Sequence, residues 1–178
     1  MTQARKNRIV LMTGDGKGKT TAALGMVLRA AGNGIRVCVI QFVKNRQDTG
    51  EMRALALLSG VEAHACGAGF VLPEDGVPLR DTHRRAAEAG LALSVAKLRD
   101  PAFGMVVLDE VCGAVALGLL DAEKVLDALR AAEPGKVIVL TGRDAGRDFI
   151  ELADTVSRVE CVKHGLNAGW PAQRGVEL

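Results

Sequence analysis

Aromatic side chains are almost missing from this chain of 178 residues: four Phe, one Trp and no Tyr, 3% in all. A single-strand nucleic-acid binder that stacks bases on aromatic rings needs more of them. Charge of one sign is lacking too. Lys and Arg number 23 against 21 Asp and Glu, a formal net charge of +2, so nothing marks an electrostatic binder of nucleic acid. No apolar run reaches the length of a membrane span. The apolar stretch near the start, Ile9 to Met12, is too short for a signal peptide. The four cysteines, Cys38, Cys66, Cys112 and Cys161, are scattered and form no Cys-x-x-Cys pair. Zinc sites and disulfide frameworks are therefore not expected, and a reducing cytoplasm fits best.

What is present is an aliphatic, glycine-rich chain of ordinary globular composition: 48% hydrophobic, 25% charged, 21 Gly. The length suits one domain spanning 1–178, with a core built from Val, Leu, Ile and Ala. Apolar strands alternate with helical patterns. Strands are expected at Arg8–Thr13, Ile35–Val43, Val61–Cys66, Gly104–Val111, Lys136–Thr141 and Thr155–Val162. Helices are expected at Lys19–Ala31, Thr49–Ser59, Thr82–Arg99, Asp121–Ala132 and Asp148–Ala153. Gly67–Arg80 reads as a loop, and the tail from Lys163 has no clear period. This alternation predicts an α/β fold, a mostly parallel sheet with helices on both faces.

The strongest local signal is Thr13-Gly14-Asp15-Gly16-Lys17-Gly18-Lys19-Thr20-Thr21, between a strand and a helix. That context is what a phosphate-binding loop requires. Glycines let backbone N–H groups wrap anionic oxygens, Lys19 adds a full charge, and the Thr20 hydroxyl suits Mg²⁺. The loop is a variant, because the usual first glycine position holds Thr13 and a second lysine stands at 17. Downstream, Met105-Val106-Val107-Leu108-Asp109-Glu110 is an apolar strand ending in two carboxylates, a second magnesium half-site. Together they predict a nucleoside triphosphate held with Mg²⁺, at the C-terminal edge of the strands. No guanine-reading motif and no Ser-His-Asp, HExxH or Cys–His nucleophile is apparent. His64, His83 and His164 are far apart and read as structural or surface residues rather than catalytic ones.

Several segments in order carry a resemblance: the loop through Ala23, Gln41-Phe42-Val43-Lys44, Gly67-Ala68-Gly69-Phe70, Val107-Leu108-Asp109-Glu110, Thr141-Gly142-Arg143-Asp144, Leu152-Ala153-Asp154-Thr155-Val156, Val162-Lys163-His164 and Ala172-Gln173-Arg174-Gly175. From about Ile9 to Val176 the chain resembles the ATP:corrinoid adenosyltransferases of the RecA-like P-loop NTPase fold. The resemblance implies that a corrinoid reduced to Co(I) attacks the ribose 5′-carbon of ATP and releases triphosphate. It implies that Gly14, Gly16, Lys17, Gly18, Lys19, Thr20 and Thr21 cradle the triphosphate, and that Asp15 lies near the sugar. Thr20, Asp109 and Glu110 hold Mg²⁺ or Mn²⁺, Arg143 and Arg29 add charge near the phosphates, and Lys19, Glu110 and Arg143 form the catalytic set. Phe70 lines the corrinoid pocket, where apolar bulk eases reduction of the cobalt. Leu72 stands there too, where many members have Trp. A homodimer and a flavoprotein electron donor are further implications. The chain starts just before its first strand, so the N-terminal helical segment of many bacterial members is expected to be absent. Two other classes stay open: a RecA-like ATPase or nucleotide switch, which would release inorganic phosphate, and a non-catalytic binder of ATP and corrinoid.

Overall fold

The structure is a computed structural model that describes residues 6–45, 48–69, 71 and 76–176. Phe70 and Leu72, assigned above to the corrinoid pocket, lie outside the described residues.

Among the described residues six strands form one sheet: β1 (Arg8–Thr13), β2 (Val37–Gln41), β3 (Val61–Ala65), β4 (Met105–Asp109), β5 (Val137–Thr141) and β6 (Thr155–Arg158). Their order is β3-β2-β4-β5-β1-β6, and every pairing is parallel. The α/β reading holds, with β5 inserted between the loop-bearing strand β1 and the carboxylate-bearing strand β4. The central strands are apolar on both faces because helices cover both.

Alternation along the strands divides the core. Val37, Val39, Met105, Val107 and Val139 pack against α1 (Lys19–Gly32) and α2 (Gly50–Leu55). Cys38, Ile40, Val106, Leu108, Ile138 and Leu140 face the other way. They meet α3 (Val77–Arg99), α4 (Val111–Ala116), α5 (Ala122–Arg130) and α6 (Arg147–Leu152). The core is aliphatic apart from Phe42, Phe103 and Phe149, each fully buried. Trp170 stays 70% exposed, so the described aromatics split between core anchors and the tail.

Several boundaries differ from expectation: β2 is two residues shorter at each end, and α2 ends at Leu55 rather than Ser59. Three further differences have a clear physical reason. Helix α3 starts at Val77, five residues early, after the cap residue Gly76. Pro78 lies in its first turn, where a missing N–H costs nothing, so this proline opens a helix rather than marking a loop. Strand β4 ends at Asp109, and a short helix, α4, follows that the apolar run Val-Cys-Gly-Ala-Val-Ala had hidden. Strand β6 stops at Arg158 because its register partner on β1 is Thr13, beyond which β1 turns into the loop.

Candidate functional site

The loop after β1 leans on the segment after β6. The N–H of Gly16 donates to the carbonyl of Val159 at 2.8 Å. A Cβ on Gly14 would sit 2.4 Å from the Val159 oxygen, and one on Gly16 would sit 2.6 Å from the Glu160 oxygen. Both glycines are therefore required by close backbone approach. Gly18 is required for another reason: it caps α1 at φ 123 and has open space where a side chain would point. Thr13, in the position where a glycine is usual, is buried and accepts a bond from the N–H of Ala145 at 3.4 Å. Lys19 is buried, and its Nζ bridges the carbonyls of Gly14 (2.6 Å) and Gly16 (2.8 Å). Burial holds its ammonium below the ordinary lysine range, against the pull of Glu110.

Sheet register builds the second half of the site. Gln41 pairs with Asp109, and Leu108 pairs with Leu140, so Thr141 falls next in line. Alternation turns all three toward α1. The Asp109 carboxylate thus accepts from the Thr20 hydroxyl and the Thr141 hydroxyl, both at 2.8 Å, and from Gln41 Nε2 at 3.1 Å. The chain then turns sharply. Glu110 has φ 62, the left-handed region that costs a non-glycine residue about 1–2 kcal/mol. Its N–H donates to Thr141 Oγ1 at 2.8 Å. Gly113 makes room for the carboxylate, since a Cβ there would lie 2.9 Å from Glu110 Oε2. Burial, then the neighbouring Asp109, push the Glu110 carboxyl above its usual range; Lys19, Arg143 and Lys44 pull it back. A strained acid held among three cations is an arrangement concentrated at functional sites.

These parts line one cleft of about 610 Å³. Asp15, Gly16, Lys17, Gly18, Lys19, Thr20, Thr21, Glu110 and Arg143, all candidates from the sequence, line it. Arg29 does not. It is exposed in the last turn of α1, ten residues or about 15 Å along the helix from Lys19. Asp109 sits beneath the cleft and meets it through Thr20. The sequence reading missed Lys44, Glu51 and His164 as cleft residues. Lys44, past the end of β2, is ion-paired with Glu51 in the first turn of α2. Polar residues at the C-terminal ends of parallel strands were the available signal for Gln41, Lys44 and Thr141.

The donor set suits a hard divalent cation. Thr20 Oγ1 and the Asp109 and Glu110 carboxylates are all oxygen ligands, and the buried Gln41 Oε1 beside Asp109 lacks a hydrogen-bond partner. Among the described residues no helix is long and apolar enough to cross a membrane.

The glycine loop, the carboxylate strand one strand away, and the α1 terminus between them define a P-loop α/β protein. The comparisons then narrow the class. The model of the family "ATP:corrinoid adenosyltransferase BtuR/CobO/CobP" matches residues 5–178, and the chain belongs to that family. It is 40% identical over 184 residues to the corrinoid adenosyltransferase CobA of Salmonella typhimurium, covering 99% of this chain and 89% of that protein. It is 41% identical over 183 residues to a corrinoid adenosyltransferase of Pseudomonas aeruginosa, covering 100% and 88%. A third, from Sinorhizobium sp, is 37% identical over 178 residues, covering 97% and 81%.

Proposed function

We propose that the protein transfers the 5′-deoxyadenosyl group of ATP to the Co(I) centre of a reduced corrinoid. The cobalt electron pair attacks C5′, the C5′–O bond breaks, and triphosphate leaves with the bonding pair. The observation that carries this reading is the convergence of Lys17, Lys19, Lys44 and Arg143 on the cleft of a chain that matches the family from end to end. A leaving triphosphate gains negative charge, and preorganised cations stabilise it more than they stabilise bound ATP. The nucleophile belongs to the corrinoid, so the protein's work is to position, neutralise and exclude water.

In this reading Gly14, Gly16, Gly18 and Thr21 wrap the phosphates and Asp15 lies near the ribose. Thr20, Asp109 and Glu110 would hold Mg²⁺ or Mn²⁺, whose charge helps neutralise the leaving group. Phe70 and Leu72 would line the corrinoid side. The chain acts as one domain over 1–178, a reading that rests on its length and on the lack of any linker-like stretch. It pairs as a homodimer, and a flavoprotein supplies the electrons that reduce the corrinoid; these two points rest on the resemblance. Four free cysteines fit a cytoplasmic setting.

The test is product analysis with ATP, Mg²⁺ and a chemically reduced corrinoid. The expected products are an adenosylated corrinoid and intact triphosphate in equal amounts. Inorganic phosphate without a cobalt–carbon bond would overturn the reading in favour of an ATPase.

A further inference from the structure

The tail after β6 returns to the loop from far along the chain. Lys17 Nζ donates to the carbonyl of Val176 at 2.7 Å, and Gly175, Val176 and His164 line the cleft with the loop. His164 is placed there by a short 3₁₀ helix, Gly165–Ala168, for which it is the N-terminal cap. The turn is tightly tied. Asn167 N–H donates to the His164 carbonyl at 3.1 Å, and Trp170 N–H donates to the Gly165 carbonyl at 3.0 Å. Trp170 lies beside Gly165, where a Cβ would meet it at an ordinary contact distance of 3.4–3.6 Å.

The cap settles the chemistry of the imidazole. His164 Nδ1 accepts from the Leu166 N–H at 3.2 Å. A neutral imidazole that accepts at Nδ1 carries its proton on Nε2. The polar atom left to His164 is therefore a donor, on a ring that borders the same cleft as Gly16, Lys17, Gly18 and Arg143. Phosphate oxygens are the acceptors that such a cleft collects.

We propose that His164 is a nucleotide-binding residue: its Nε2–H donates to the polyphosphate of the bound nucleotide, and the tail forms one wall of the phosphate site. This rests on the nucleotide reading above.

The experiment is calorimetric titration of the full chain with Mg–ATP and with magnesium tripolyphosphate, comparing H164N and H164Q. An Asn oxygen stands where Nδ1 does and keeps the cap, but no donor reaches the cleft. A Gln amide N–H stands about where Nε2–H does, without the cap. H164N is expected to melt with the wild-type chain yet bind both ligands roughly three- to thirtyfold more weakly, the worth of one bond to a charged acceptor at a half-open site. H164Q is expected to recover most of that affinity. The opposite pattern, with H164N binding normally and H164Q weakened, would show a purely structural cap and overturn the proposal. Weakening toward ATP alone would overturn the phosphate assignment. A wild-type chain that bound neither ligand would overturn the nucleotide reading itself, and this inference with it.

Discussion

Replacing Asp109 by Ala and by Asn should have very different effects on folding and the same effect on catalysis. The Ala variant strands three donors: the Thr20 hydroxyl, the Thr141 hydroxyl and Gln41 Nε2. Thr20 is half-buried and can turn to water. Thr141 and Gln41 are buried, and Thr141 Oγ1 is also held by the Glu110 N–H. Two buried donors left unpaired, at about 1–3 kcal/mol each, put the loss near 2–6 kcal/mol. The Asn variant keeps an oxygen for the two hydroxyls and presents an N–H₂ to Gln41. The Gln41 amide answers by flipping, because its Oε1 has no other partner. Removing the Asp109 charge also relieves the pressure on Glu110. The Asn variant should therefore lose only about 1 kcal/mol. Urea unfolding with an unchanged m-value measures both. On the proposed role of Asp109 as an anionic ligand for Mg²⁺, adenosyl transfer should fall in both. An Asn variant as unstable as the Ala variant would refute the flip, and an active one would remove Asp109 from the metal site.

Further outcomes follow from single observations. Gly16→Ala should cost about 1–3 kcal/mol in thermal or urea unfolding, because its Cβ would fall on the Glu160 carbonyl, whereas Gly25→Ala, with open space in mid-helix, should gain about 0.5–1 kcal/mol. Glu110→Gln should raise the melting temperature at neutral pH. The native carboxyl is held above its ordinary range, so the protonated form favours folding, and that contribution fades as pH rises through the folded-state pKa. Below the ordinary glutamate pKa of about 4.3 both side chains are neutral and the difference should vanish. A constant offset across that range would show that packing, not charge, separates the two. Arg29→Ala should leave ATP affinity unchanged in a binding titration, and a clear loss there would return Arg29 to the phosphate site.

The loop was legible because its information is local. A strand, a glycine-rich turn and a helix start within fourteen residues obey short-range rules, and Gly14, Gly18, Lys19 and Thr20 stand as those rules require. The carboxylate strand was legible from its apolar run. Helix α4 was not, since Val111 to Ala116 suits a strand as well as a helix, and only the turn at Glu110 separates the two. Arg29 stands on the loop's own helix yet outside the cleft lining, because the rise of that helix carries it away from Lys19. The tail showed no period at all. Among the described residues its one regular piece is a single 3₁₀ turn fixed by a cap, so His164 read as a structural or surface residue.

By itself, then, the chain determined the strand–helix alternation, the loop and the aliphatic composition of the core, because dihedral preference and hydrophobic period act over a few residues. Only the tertiary structure decided which distant groups meet. Gln41, Thr20 and Thr141 lie 68, 89 and 32 residues from Asp109 and converge on it through parallel register and helix packing. The Val176 carbonyl meets Lys17 across 159 residues for the same reason: the last strand pairs beside the first. A sheet's strand order is a global choice, and the chemistry of this cleft is written along it.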